Sequence, residues 1–69
     1  MISLKSEIVQ KILNLFFLNE ERSFYVNELA KIIGEDPSNV YKKLFELKEE
    51  GIISDEFSGK ERYFFINKE

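Results

Sequence analysis

Sixty-nine residues, 43% of them hydrophobic, suffice for one domain with a small core; cores below about 70–80 residues rarely supply more than about 3–5 kcal/mol of net stability. Cysteine and histidine are both absent, which excludes disulfides, Cys/His zinc sites, thiol nucleophiles and imidazole bases, so neither an enzyme nor a metal or other cofactor is expected. The net charge of −3 and the pI of about 5.0 argue against strong non-specific binding to nucleic acid, which comes mainly from lysine and arginine on phosphates.

In chain order, residues 4–18 have helical periodicity, with Ser3 as the N-cap. Leu4, Ile8, Ile12, Leu15 and Phe16 form one apolar stripe, and Val9, Leu13 and Phe17 a second at i, i+4, i+8. Lys5, Glu7, Gln10, Lys11 and Asn14 interrupt this stretch, so it reads neither as a signal peptide nor as a membrane span, and a cytoplasmic location is expected. Asn19-Glu20-Glu21-Arg22 is a polar loop, and Ser23 to Val26 is a short β-favouring run. Asn27 then caps a helix over residues 28–33 that Gly34 ends. Asp36-Pro37 starts a third helix, an acid at the cap followed by proline at the first helical position. That helix runs to about Glu50 and stops at Gly51. Ile52 to Phe57 and Glu61 to Asn67 read as strands joined by the turn signal Ser58-Gly59-Lys60. The chain is therefore mainly α with a small β-hairpin, in the order helix, strand, helix, helix, strand, strand.

One spaced run carries more information than any other. Leu29-Ala30, Gly34, Val40, Leu44, Leu47 and Gly51-Ile52-Ile53 follow the steric needs of a helix-turn-helix. A small residue lets the second helix cross close to the first, and a glycine takes the left-handed turn that side chains resist. An apolar residue early in the second helix anchors the crossing. With the hairpin that follows, and the wing turn around Gly59, these residues resemble the winged helix-turn-helix superfamily, and are most similar to prokaryotic regulators of the ArsR and MarR type. The resemblance covers nearly all of 1–69, with the helix-turn-helix at 27–50 and the wing at 52–67. Two features depart from it. ArsR-type sensors often carry metal-binding cysteines or histidines, which this chain lacks, and their wings are often arginine-rich, whereas this one opens with Asp55-Glu56. The tail from Tyr63 to Glu69 also resembles the end of the winged helix that precedes a nucleotidyltransferase domain in some prokaryotic proteins.

The resemblance implies a sequence-specific transcriptional regulator of double-stranded DNA, with the third helix in the major groove and the wing on the backbone or in the minor groove. The third helix is locally basic on an acidic body. Val40, Leu44 and Leu47 are expected in the core, which leaves Ser38, Asn39, Lys42, Phe45 and Glu46 outward and Tyr41 at the border. Ser38 and Asn39 suit phosphate or base-edge contacts, or else support the first turn beside Asp36. Lys42 and Lys43 suit phosphates, with Lys42 the more outward, and Glu46 ends the reading segment by repulsion. Tyr41 and Phe45 are expected to pack under the wing against Phe57 or Tyr63; an exposed Phe45 would point to a protein partner instead. Lys60 and Arg62 flank the wing turn, ready either for DNA or for pairing with Asp55, Glu56 or Glu61. Asp55 and Glu56 point to opposite faces of a strand and make no cation site. Most of the aromatic residues are needed for the core and not for stacking on single strands. The stripe of Val9, Leu13 and Phe17 is expected to join two copies into a homodimer. The alternative is a winged helix used as a protein-docking or regulatory module, which the acidic pI, the wide apolar first helix and the acidic wing opening favour, or as an appendage to a nucleotidyltransferase.

Overall fold

The computed structural model describes residues 6–67. Ser6 is extended, with φ −63° and ψ 130°, and its hydroxyl accepts the Val9 N–H at 3.5 Å. Helix α1 therefore begins at Glu7, with Ser6 in the role expected of Ser3, and runs to Leu18. Ser3 and Leu4 lie outside the described residues. Strand β1 (Phe24–Tyr25) turns straight into α2 (Val26–Ile33). Here the expected start at Asn27 is corrected by two residues. Tyr25 is the N-cap, and Glu28 reaches back to accept the Tyr25 N–H at 3.4 Å, so Asn27 lies inside the first turn. Gly34, at φ 72°, ends α2, and the Ala30 carbonyl accepts from the N–H groups of both Gly34 and Glu35.

Helix α3 spans Pro37–Glu49, with Asp36 as the N-cap accepting the Ser38 N–H at 3.1 Å. The chain leaves it through Gly51, and Ile52 donates its N–H to the Leu47 carbonyl at 3.0 Å. Strands β2 (Ile53–Ser58) and β3 (Glu61–Ile66) form the hairpin, joined through Gly59 at φ 62°. The sheet order is β1-β3-β2, all antiparallel. The short β1 meets β3 only at Phe24↔Phe64 and Tyr25↔Tyr63, so the hairpin beyond Tyr63 is a two-stranded ribbon.

The core gathers Val9, Ile12 and Phe16 of α1, Leu29 and Ala30 of α2, Val40, Leu44 and Leu47 of α3, and Phe24, Ile53, Phe64 and Ile66 of the sheet. Ala30 is the small residue at the crossing, as the helix-turn-helix spacing requires. Phe16 meets Phe24 edge-on at 5.4 Å. Lys11 of α1 pairs with Glu35, just after α2, at 2.8 Å and fixes the first helix against the α2–α3 turn. The expected split of α1 into a core stripe and an interface stripe is corrected. Val9 is fully buried in the domain's own core, and Leu13 packs against that core partly buried. The two stripes are neighbours on a helix of 3.6 residues per turn, and α1 sinks along the line between them. Of the second stripe only Phe17 stays exposed, at 56%, and Leu18 beside it is 82% exposed. No helix among the described residues is long and apolar enough to cross a membrane.

Candidate nucleic-acid interface

Burying Val40, Leu44 and Leu47 fixes the rotation of α3 and turns Ser38, Asn39, Tyr41, Lys42 and Phe45 to the surface. At the N-terminal end the free N–H groups are already served by Asp36. Its carboxylate accepts from the Ser38 N–H and from the Ser38 hydroxyl, which is thereby committed to the cap. The Ser38 hydroxyl, with the N–H groups of Asn39 and Ser38, holds the Asp36 carboxyl below its ordinary range against a smaller opposing push from burial. An anion approaching this helix end meets a carboxylate. Of the pair expected to face DNA, Ser38 takes the structural role and Asn39 stands exposed.

Lys42, three residues and about one turn after Asn39, is exposed and has no ion-pair partner among the described residues. Lys43 is half-buried and pairs with Glu46 at 3.5 Å along its own helix. Lys60 occupies the hairpin turn, exposed and likewise without an ion pair among the described residues.

Of the two roles open to Arg62, DNA contact or pairing across the hairpin, it takes the pairing with Asp55. Alternation along the strands turns Asp55, Phe57, Arg62 and Phe64 to the face that meets α3. There the Arg62 Nε donates to Asp55 Oδ2 at 2.6 Å and its Nη1 to the Tyr41 hydroxyl at 2.6 Å. Its guanidinium carbon also lies 5.5 Å from the Tyr41 ring centroid, 5.4 Å from that of Phe57 and 5.1 Å from that of Phe64. Asp55 takes a second cation, Lys48, at 3.2 Å. Burial pushes the Asp55 carboxyl up, but the hydrogen bonds from Arg62 and Lys48 outweigh it and hold the group below its ordinary value. For Arg62 burial acts downward, and Asp55 and Tyr41 reverse it.

The aromatic arrangement is corrected as well. Arg62 stands between Tyr41 and Phe57, where a direct aromatic contact was expected. Tyr63 points to the opposite sheet face and pairs with Tyr25. Phe45 is exposed, with the Lys48 ammonium 5.9 Å from its ring centroid, and Phe57 is 70% exposed. The role of Lys48 and the double pairing of Asp55 were not anticipated. The signal available was parity: Asp55 shares its strand face with Ile53 and Phe57, which places its carboxylate toward α3.

No protein-family model matches the chain, and no curated protein matches it in sequence. Among solved structures, the crystal structure of M. tuberculosis Rv0081 superposes with a TM-score of 0.68 at 24% identity, over 93% of this chain and 70% of that one. The fold is that of a winged helix. The AntR antimony-specific transcriptional repressor superposes with a TM-score of 0.58 at 16% identity, over 94% of this chain and 71% of that one. In the terms of the winged helix, α2 and α3 form the helix-turn-helix, α3 is its second helix, and β2–β3 is the wing.

Proposed function

We propose that this winged helix is a cytoplasmic transcriptional regulator, a binding module and not an enzyme, that recognises double-stranded DNA with α3 in the major groove and the wing along the backbone or minor groove. The observation that carries this reading is the joint exposure of Asn39 and Lys42. An amide suited to a base edge and an unpaired cation suited to a phosphate stand exposed together on the early part of α3. Lys60 supplies a second free cation from the wing turn. The similarity to AntR, an antimony-specific transcriptional repressor, supports the same reading. Phe17 supports a homodimer, because this exposed phenylalanine lines one groove together with Ile52 and Ile66, rimmed by Glu20 and Asn67. A two-fold contact brings the same patch of both copies together, and two copies would raise the avidity of a weakly basic monomer.

Titration of a labelled random duplex pool at several salt concentrations tests this. Lys42 and Lys60 meeting one phosphate each give a log–log slope of magnitude about 2 per domain, at about 0.9 per phosphate. A second reading, docking on a protein, draws support from the exposed Tyr41, Phe45 and Phe57 and from the cations already neutralised by Asp55 and Glu46. No binding to any duplex at low salt decides for docking.

A further inference from the structure

We infer that Arg62 is a positioning residue: it locks the distal half of the wing at one angle on α3, so that Lys60 and Lys42 meet the same duplex. The inference rests on the DNA reading above for its functional consequence, and on geometry alone for the lock itself.

The wing needs such a lock. β1 covers β3 only at Tyr63 and Phe64, so from Arg62 to the turn the hairpin has no third strand, and an isolated two-stranded ribbon is marginal in water. Apolar packing does not hold it either, because Phe57, the inward residue opposite Arg62 in the register, is 70% exposed. What joins this ribbon to α3 is polar. Arg62 bonds Asp55 within the hairpin and Tyr41 on the helix, and Lys48, two helical turns after Tyr41, bonds Asp55 from the other side. Asp55 faces Phe64 at the three-stranded base, so Lys48 ties that base to α3. The Arg62–Tyr41 bond, roughly 10 Å away along the helix at a 1.5 Å rise per residue, ties the two-stranded part.

Only a guanidinium does this from one position. Its planar fork gives one donor to the carboxylate and another to the phenol while the cation stays within 5.5 Å of three ring centroids, which a lysine ammonium cannot reproduce. The same contacts remove Arg62 from the phosphate-binding set. Its side chain is 20% exposed and that of Asp55 12%, so turning Arg62 to a phosphate would leave a largely covered carboxylate with one partner fewer, beside a polyanion.

Two measurements test the inference. The first is a double-mutant cycle on duplex binding. In the wild-type background Lys60→Ala is expected to weaken binding about threefold to tenfold, and on an Arg62→Gln background to have almost no further effect. Equal losses in both backgrounds overturn the inference. The second measurement uses no DNA. The chain has no native cysteine, so spin labels at Glu49→Cys and Ser58→Cys report the distance from α3 to the wing. One narrow distance distribution is expected with Arg62 in place and a broad one with Arg62→Gln; a distribution that stays narrow overturns the lock. If the wild type binds no duplex but the distribution broadens, the DNA reading fails and the lock stands. Should Arg62→Gln not fold, Tyr41→Phe removes only the hydroxyl that joins wing to helix, and the same broadening is expected.

Discussion

Tyr25 donates its hydroxyl hydrogen to the Tyr63 oxygen across 2.6 Å, on the sheet face that points away from the core. The two residues are register partners on β1 and β3, which brings their rings to 4.4 Å between centroids. The pair fastens the short β1, and with it the start of α2, to the base of the wing.

The hydrogen bond to Tyr63 and partial burial push the Tyr25 phenol up from 10.0 to about 12. The neutral form is the one stabilised by folding. The contribution to stability is therefore complete below the unfolded value near pH 10 and is lost as pH rises through about 12. Tyrosine absorbance followed against pH should show Tyr25 ionising late, and Tyr63→Phe should return it toward its ordinary value. A Tyr25 that titrates unchanged in Tyr63→Phe removes this pair from the alkaline stability of the domain.

Leu44 lies fully buried in the core where α3 packs against the rest of the domain. Replacing such a leucine by alanine costs about 2–5 kcal/mol, while a domain of this size holds only about 3–5 kcal/mol in total. Leu44→Ala is thus expected to be largely unfolded at room temperature by circular dichroism. Leu44→Met conserves volume, costs less than about 1.5 kcal/mol and should stay folded. A cooperative melt of Leu44→Ala close to the wild type would mean that the core relaxes around the deletion.

The elements that local chemistry determines were legible in the sequence. Asp36-Pro37 and Gly51 bracket α3 because an acid cap, a proline at the first helical position and a left-handed exit are all written in adjacent residues. The start of α2 was not legible in the same way, since its cap is a tyrosine that belongs to a strand and is held by Glu28. The burial of Val9 depends on how deeply α1 sinks between the other helices and the sheet, which no local pattern records for a helix apolar over half its surface. Asn39, Lys42 and Lys60 are exposed where they were expected. Arg62 takes the second of its two expected roles, pairing with Asp55, but its bond to Tyr41 was not legible, because it joins β3 to a residue 21 positions earlier on α3.

Lys42 and Asn39 should separate positioning from reading. Lys42→Ala removes a phosphate contact, so binding to all sequences weakens alike and the salt slope falls by about one unit. Asn39→Ala should instead relax preference at particular base pairs, at roughly 1–3 kcal/mol for each lost base contact. Binding of both variants to a selected duplex and to a random pool, over a salt series, makes the comparison. If Asn39→Ala weakens the two duplexes equally, Asn39 is not a reading residue.

The contrast between Phe17 and Val9 tests the dimer. Both belong to the stripe expected to join two copies, yet Val9 is enclosed by its own domain and Phe17 is 56% exposed. Val9→Ala should therefore lower stability by creating a cavity and leave the association constant of the folded protein alone. Phe17→Glu should do the reverse. A charge at an exposed site leaves the core intact, but in a two-fold contact it places an unpaired carboxylate on each side of an apolar seam. Leu13→Glu is the poorer probe, since Leu13 packs partly against the core and its loss mixes both effects. Sedimentation equilibrium over a concentration series, with circular dichroism on the same samples, should find a dimer for the wild type and a folded monomer for Phe17→Glu. Two dimer-borne α3 helices placed about 34–36 Å apart would fit successive half-sites, so the monomeric variant should also bind a two-half-site duplex no better than a single half-site. A wild type that stays monomeric at high concentration would leave Phe17 without a second copy to meet.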